Sequence, residues 1–270
     1  MNYLLIDTSY VIFFRYYATL RWYEYAYKDE KFDKDYDWSN NEIFLNKFKT
    51  KFFDTISKII KKYNIKDEAI IFCRDCPRIN IWRNKYYEDY KSDRINQDNN
   101  NIGKFFRIVY DEILPNLIKE RNFKILNHDK LEGDDIIYLT KKHIQEKNLN
   151  YKNIIIITND YDLLQIIDDT TILINLKEKI LNEKSDGSPE IDLSLKIICG
   201  DKSDNIPSCF KKCGKKTALK LIKDNNLLLN KLRENPQSLN RYAINKMIID
   251  LCNIPLELKE SFKVVLENIL

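Results

Sequence analysis

The sequence predicts an α/β fold: a mostly parallel central sheet flanked by helices, followed by a helical C-terminal region. Three observations predict it. Short runs that are apolar throughout recur along the first two thirds of the chain, longer amphipathic segments separate them, and after about residue 190 the pattern turns helical. Continuous apolar runs suit strands buried on both faces, and their alternation with helical segments suits a parallel sheet.

The first run is residues 2–6 (NYLLI), ending in Asp7, and the second is residues 69–73 (AIIFC), followed by Asp75. The third is 123–126 (FKIL), the fourth 153–158 (NIIIIT), followed by Asp160, and the fifth 171–175 (TILIN). Amphipathic segments cover 42–63, 104–121 and 132–147. Residues 21–41, rich in charge and tyrosine, have no clear period, and 92–103 (SDRINQDNNNIG) are polar and read as a loop. His128, after the third run, reads as a structural loop histidine. Beyond 190, apolar repeats fall in 192–199, 216–222 and 239–251, with Pro207, Pro236 and Pro255 in the turns. The expected division is therefore a core over 1–190 and a helical region over 191–270.

The chain has 270 residues, 44% hydrophobic and 32% charged, which suits a soluble globular protein. Asp7 and Arg15 interrupt the N-terminal apolar run, so no signal peptide is expected. No stretch reaches the ~18–20 apolar residues of a membrane span. Six cysteines without a scaffold-like spacing point to an intracellular, reducing compartment. Cys73 with Cys76, or Cys209 with Cys213, make a poor zinc site, because Cys73 closes an apolar run and both histidines lie elsewhere. Net charge is only +4, from 45 basic and 41 acidic residues. If the acids gather in one pocket, the remaining surface is basic, as a nucleic-acid enzyme requires.

Ligands of parallel sheets sit beyond the carboxyl ends of the strands, so Asp7, Asp75 and Asp160 are candidates to share one crevice. Residues 131–135 (LEGDD) start a helical segment with three carboxylates. Capping alone explains part of that, since acids favour the positive helix end by roughly 0.3–1 kcal/mol each. The wider set is Asp7, Asp75, Glu132, Asp134, Asp135, Asp160, Asp162, Asp201 and Asp204, in which 132/134 and 160/162 are spaced by two and 201/204 by three. So many acids cannot all remain ionised in one crevice without cations. Oxygen ligands without histidine or cysteine suit Mg²⁺, with Mn²⁺ as a substitute, rather than zinc. Two such ions ~4 Å apart suit phosphodiester hydrolysis.

Four motifs resemble the 5′-nuclease superfamily: flap endonucleases, phage RNase H-type 5′→3′ exonucleases, and the nuclease domain of bacterial DNA polymerase I. LLIDTSYVIFFR resembles the family's opening strand with its Asp and Arg (Asp7, Arg15). DCPRINIWRNKYYEDYKSDR resembles its second Asp and R…YK…R signature (Asp75, Arg83, Tyr90, Lys91, Arg94). LEGDD and TNDYDLLQ resemble E-A-D-D and S/T-x-D-x-D-x-x-Q, and GDKSDNIP resembles G-D-x-x-D-N. The likeness runs from Asp7 to about Ile222. It implies a PIN-like core in which Asp7, Asp75, Glu132 and Asp134 serve a first metal. Asp135, Asp160, Asp162, Asp201 and Asp204 serve a second metal or the shell between. It further implies a helical arch over about 84–104, with Lys91 and Arg83 or Arg94 at its base, neutralising the scissile phosphate. The arch charges are mixed: Lys85, Lys91, Arg94 and Lys104 against Glu88, Asp89, Asp93 and Asp98. Tyr86, Tyr87 and Tyr90 offer faces for an unpaired base.

The family also carries a helix-hairpin-helix variant after G-D-x-x-D-N. Seven lysines lie between 202 and 223, and the hairpin reads KKCGKKTA over 211–218. Lys211, Lys212, Gly214, Lys215, Lys216 and Thr217 are its candidate DNA contacts. Lys212 stands where the family's first glycine normally sits, which puts a monovalent-cation site there in doubt.

The resemblance thus implies a Mg²⁺-dependent, structure-specific 5′ nuclease of replication or repair. Its substrate would be flap, nicked or gapped DNA, with RNA–DNA hybrids such as primers a further class. A monomer is expected, and nothing in the sequence indicates a clamp, polymerase or membrane partner. Two alternatives compete: a PIN-type single-strand ribonuclease, disfavoured by residues 82–104 and 200–222, and a catalytically silent junction binder, disfavoured by the complete acid set.

Overall fold

The computed structural model of the protein describes every residue except 34, 35, 98–100 and 148. Five strands form one parallel sheet: β1 (Asn2–Asp7), β2 (Ile70–Cys73), β3 (Lys124–Leu126), β4 (Asn153–Ile157) and β5 (Thr171–Ile174), in the order β3-β2-β1-β4-β5. Leu4, Leu5, Ile6, Ile70, Ile71, Phe72 and Ile154–Ile157 are fully buried, which accounts for the unbroken apolar runs.

Around the sheet lie α1 (Thr8–Ala26), α2 (Glu42–Tyr63), α3 (Asn101–Ile108), α4 (Leu114–Arg121) and α5 (Gly133–Glu146). Helix α2 shows how cleanly a sequence can set an element. Asn41 caps it, accepting from the Phe44 amide, and Phe44, Phe48, Phe52, Ile56 and Ile59 line its buried face. Asn64 ends it in the left-handed conformation, φ 48°. Between α3 and α4 the chain makes a π-helical turn, Val109–Ile113.

The segment without a functional reading is now placed. Residues 21–26 extend α1, and Tyr23, Phe32, Tyr36 and Trp38 pack against one another and Phe44 in edge-on and tilted pairs. Phe44 and Tyr16 in turn pack on Phe105 of α3. The segment is an aromatic satellite of the main core.

The C-terminal region holds α6 (Pro189–Cys199), α7 (Lys215–Lys223), α8 (Asn225–Arg233), α9 (Pro236–Ile249) and α10 (Leu256–Ile269). Helices α6 to α9 contribute to two smaller apolar clusters, one of which also takes in Cys76, Ile81 and Tyr90. Leu258, Phe262 and Leu266 of α10 join the main core. Gly200 ends α6 at φ 70°, where a Cβ would lie 2.3 Å from the Ile206 carbonyl oxygen. Only glycine fits that close approach, which starts the GDKSDN turn. Among the described residues, no helix is long and apolar enough to cross a membrane, and all six cysteines are free.

Candidate active site

The strand order reverses at β1, whose neighbours β2 and β4 lead away in opposite directions, and a crevice opens there beyond the strand ends. Asp7, the last residue of β1, caps α1 by accepting from the Tyr10 amide at 3.0 Å, and the Thr158 hydroxyl donates to its other oxygen at 3.1 Å. Asp75, two residues past β2, accepts from the Gly133 amide at 2.6 Å and from the Ser9 hydroxyl. Asp134 enters from the first turn of α5, and Asp160 and Asp162 come from the turn after β4.

These carboxylates repel one another strongly. Burial, then the charges of Asp75 and Asp160, pushes the Asp7 carboxyl up to about 7. Burial, with Asp160 and Asp7, holds Asp134 well above the usual carboxylate range. Burial and Asp160 push Asp162 up to about 7 despite the nearby Lys196. Asp162, Asp201 and Asp204 offer oxygens that all lie within 4.8 Å of one another. Asp201 caps the short turn Lys202–Asp204, accepting from the Ser203 amide at 2.7 Å. The structure therefore brings together Asp7, Asp75, Asp134 and Asp160 on one side, and Asp162, Asp201 and Asp204 on the other.

Two of the nine acids stand apart. Asp135 is fully buried, and its carboxylate is saturated by Arg83 (2.7 and 2.8 Å), the Trp82 indole N–H (3.0 Å) and the Glu132 amide (3.0 Å). Asp135, expected to serve a second metal or the shell between, is here the counter-ion of a buried arginine. Glu132 directs Oε1 to Lys91 (2.6 Å) and Oε2 to Arg83 (2.8 Å) and the Tyr90 hydroxyl (3.0 Å). Burial alone would raise its carboxyl, but Lys91 and Arg83 outweigh it and hold it near about 2. Glu132 thus reaches the cluster as the anchor of Lys91, with neither oxygen free.

The cations sort likewise. Arg83 is buried and also donates to the Ile248 carbonyl at 2.7 Å, so its guanidinium, expected at the scissile phosphate, is engaged by Glu132, Asp135 and that carbonyl. Lys91 sits between Glu132 and Asp204 (3.7 Å), with its backbone at φ 53° and its amide donating to the Asp204 carbonyl at 3.1 Å. Arg94 donates to Asp204 at 2.7 Å and to the Ser203 carbonyl at 3.0 Å. Both face the acid cluster at the base of the expected arch. That segment runs through short 3₁₀ turns to residue 97 and resumes as α3 at Asn101; Asp98 lies outside the described residues.

Of the three tyrosines, only Tyr86 keeps an open ring, 39% exposed. Tyr90 is buried against Glu132, so its expected role as a stacking face is corrected. Tyr87 donates to the Asn205 carbonyl at 3.0 Å, and Arg241 lies over its ring. Arg15, on α1, is half-buried over Phe14 and its Nε finds no partner.

One residue in contact with the acid cluster escaped the sequence reading. The Lys196 ammonium, on α6, contacts both Asp162 and Asp201. Nothing in an amphipathic helix marks one lysine as reaching acids from two other segments.

The hairpin lies nearby. Lys211, Lys212, Gly214, Lys215, Lys216 and Thr217 are all exposed, while Cys209, Phe210 and Cys213 anchor the loop in an apolar cluster. Lys212 takes φ 54°, so the left-handed turn survives without glycine. Lys215 pairs with Asp186 at 2.5 Å. Gly214 caps α7, and a Cβ there would meet nothing within 4 Å, so the protein's own packing does not demand glycine.

A doubly wound parallel sheet whose strand ends gather oxygen-only acids beside a basic hairpin defines a class: α/β domains equipped for hard divalent cations. The family profile described as "5′-3′ exonuclease, N-terminal resolvase-like domain" matches residues 2–187, and the chain belongs to that family. It is 34% identical over 178 residues to a 5′-3′ exonuclease of Buchnera aphidicola subsp. Schizaphis graminum, covering 63% of this chain and 57% of that one. It is 27% identical to DNA polymerase I of Lactococcus lactis subsp. lactis, covering 91% of this chain and 26% of the polymerase. The chain thus spans little more than half the length of the first and a quarter of the second. The bacteriophage T5 flap endonuclease, solved as a complex with DNA and metal ions, shares the fold. Its TM-score is 0.65 at 16% identity, covering 100% of this chain and 99% of that one.

Proposed function

We propose that the chain is a divalent-metal-dependent 5′ nuclease cutting flap, nicked or gapped DNA near the single-strand/double-strand junction. RNA primers paired to DNA are a second substrate class. The observation that carries the reading is the acid cluster: Asp7 and Asp162 pushed up to about 7, and Asp134 well above its usual range, by burial first and then by neighbouring carboxylates, Asp160 acting on all three. A donor set of carboxylate oxygens fits Mg²⁺, with Mn²⁺ as substitute. Asp7, Asp75, Asp134 and Asp160 would hold one ion, and Asp162, Asp201 and Asp204 a second. When bound, such a pair lowers the pKa of water and stabilises the leaving oxygen, giving 5′-phosphate and 3′-hydroxyl ends.

The chain's own residues do the rest. Lys91 and Arg94, pre-aimed by Glu132 and Asp204, present positive charge where a scissile phosphate would lie. Tyr86 offers its ring to an unpaired base. The exposed amides at the start of α7, with Lys211, Lys212, Lys215, Lys216 and Thr217, would grip duplex phosphates, and the bare Cα of Gly214 permits close backbone approach. Arg15 would add a contact from α1.

End-labelled flap, nick, gap and RNA-primer substrates with Mg²⁺ test the reading. Cleavage at the junction is expected; cutting of unstructured RNA alone would replace it with a single-strand ribonuclease. Asp201→Ala should abolish cleavage while junction binding in EDTA persists.

A further inference from the structure

Behind Asp75 lies a hydrogen-bond chain that the proposed reaction does not use. The Ser9 hydroxyl bonds to Asp75 Oδ2, and the Tyr110 hydroxyl lies 2.8 Å from Ser9 Oγ. Direction follows from chemistry. The Ser9 hydroxyl gives its single proton to Asp75, so towards Tyr110 it accepts and the phenol donates. Burial, with the nearby Asp75 charge, raises the Tyr110 phenol, which keeps its proton. The other oxygen of Asp75 is held from the opposite side by the Gly133 amide.

Tyr110 itself is costly to place. It sits in the π-helical turn Val109–Ile113, a rare geometry that concentrates at functional sites. Its ring is buried, and the Arg74 guanidinium, paired with Asp111 at 3.3 Å, lies 4.4 Å from the ring centre. Arg74 directly precedes Asp75, so the phenol is clamped from the same strand end that it serves.

We propose that Tyr110 is a positioning residue: through Ser9 it fixes the Asp75 carboxylate so that its remaining lone pairs face the Asp7 side of the crevice. This rests on the reading of Asp75 as a metal ligand. Partners behind a ligand typically contribute 10–100-fold in metal affinity or activity.

The test is Tyr110→Phe, which keeps the ring and its Arg74 contact. Mn²⁺ binding without DNA, followed by electron paramagnetic resonance, should weaken about tenfold. The melting temperature in EDTA should hold within a few degrees, and excess metal should restore cleavage. Ser9→Ala should weaken binding at least as much, and the double variant no more than Ser9→Ala, because Tyr110 acts through Ser9. Unchanged Mn²⁺ affinity in Tyr110→Phe, additive losses in the double variant, or a fall in EDTA melting temperature matching the lost affinity would each overturn the proposal. Asp75→Asn separates the layers. If it binds Mn²⁺ like the wild type, the ligand reading fails; if it loses Mn²⁺ while Tyr110→Phe does not, only the relay fails.

Discussion

Arg83→Met should unfold the protein more readily without acting on chemistry directly. Arg83 makes four hydrogen bonds of 2.7–2.8 Å, to Glu132, twice to Asp135 and to the Ile248 carbonyl. Methionine replaces its apolar stem but leaves Asp135, fully buried, with only the Trp82 and Glu132 N–H donors. Removing one partner of a buried ion pair costs about 3–5 kcal/mol. Against a typical stability of about 5–15 kcal/mol that is a large share. At ~2–4 °C per kcal/mol the melting temperature should fall by about 10 °C. Urea unfolding in EDTA measures it free of metal binding. Adding Asp135→Leu should recover part of the loss, because two apolar groups can replace a buried pair at little cost. A loss below ~1 kcal/mol together with a collapsed cleavage rate would refute the structural assignment and return Arg83 to the chemistry.

Three further outcomes are expected. Asp7 and Asp162, raised to about 7 from 3.8, keep protons in the folded state that the unfolded chain has released. The metal-free melting temperature should therefore fall as pH rises from about 4 to 7, while the gain on adding Mg²⁺ grows over the same window. Glu132, held to about 2, works the opposite way only below about pH 4.5, so scanning calorimetry above pH 5 avoids its contribution and reads the raised carboxyls, Asp134 among them. Lys212→Gly removes a left-handed side chain worth roughly 1–2 kcal/mol of strain, so stability should hold or rise, while the salt slope of DNA binding drops by about 1. Tyr86→Ala should weaken binding of single-stranded ends by ~1–3 kcal/mol without lowering the melting temperature, whereas Tyr90→Ala should lower it, its ring being buried against Glu132.

The five strands and helix α2 were legible because each solves one local problem: a run buried on both faces, or one apolar stripe between two caps. Helix α1 was not, because its apolar residues (Val11, Ile12, Phe13, Phe14, Tyr16, Tyr17) circle the axis and leave no stripe. The acid cluster was visible as carboxylates at strand ends. Which acids stay in the cluster was not, because Asp134 and Asp135 are neighbours with different partners, and that of Asp135 is Arg83, 52 positions away. Lys196 and Tyr110 were hidden for the same reason: each acts across long sequence separation. The missing hairpin glycine put a monovalent-cation site in doubt, yet Lys212 itself adopts the left-handed conformation, beside its anchored neighbours Phe210 and Cys213.

The placement of Asp7 on the middle strand has a consequence for how this chain can change. Asp7 pairs in register with Cys73, and Ile6 with Ile157, so the acids on either side are set off by the hydrogen-bonded distance between adjacent strands, roughly 4.7–4.9 Å. That spacing is a ruler made of backbone, which side-chain substitution cannot stretch. Residues 27–33 and 36–41, between α1 and α2, supply none of the cluster's groups, so they can vary while the gauge at the strand ends holds. A slip of one residue in β1 would turn Asp7 to the other face of the sheet. Variation in such a chain is therefore easiest in that connection and hardest along the first strand and the acid-bearing turns that follow the strands.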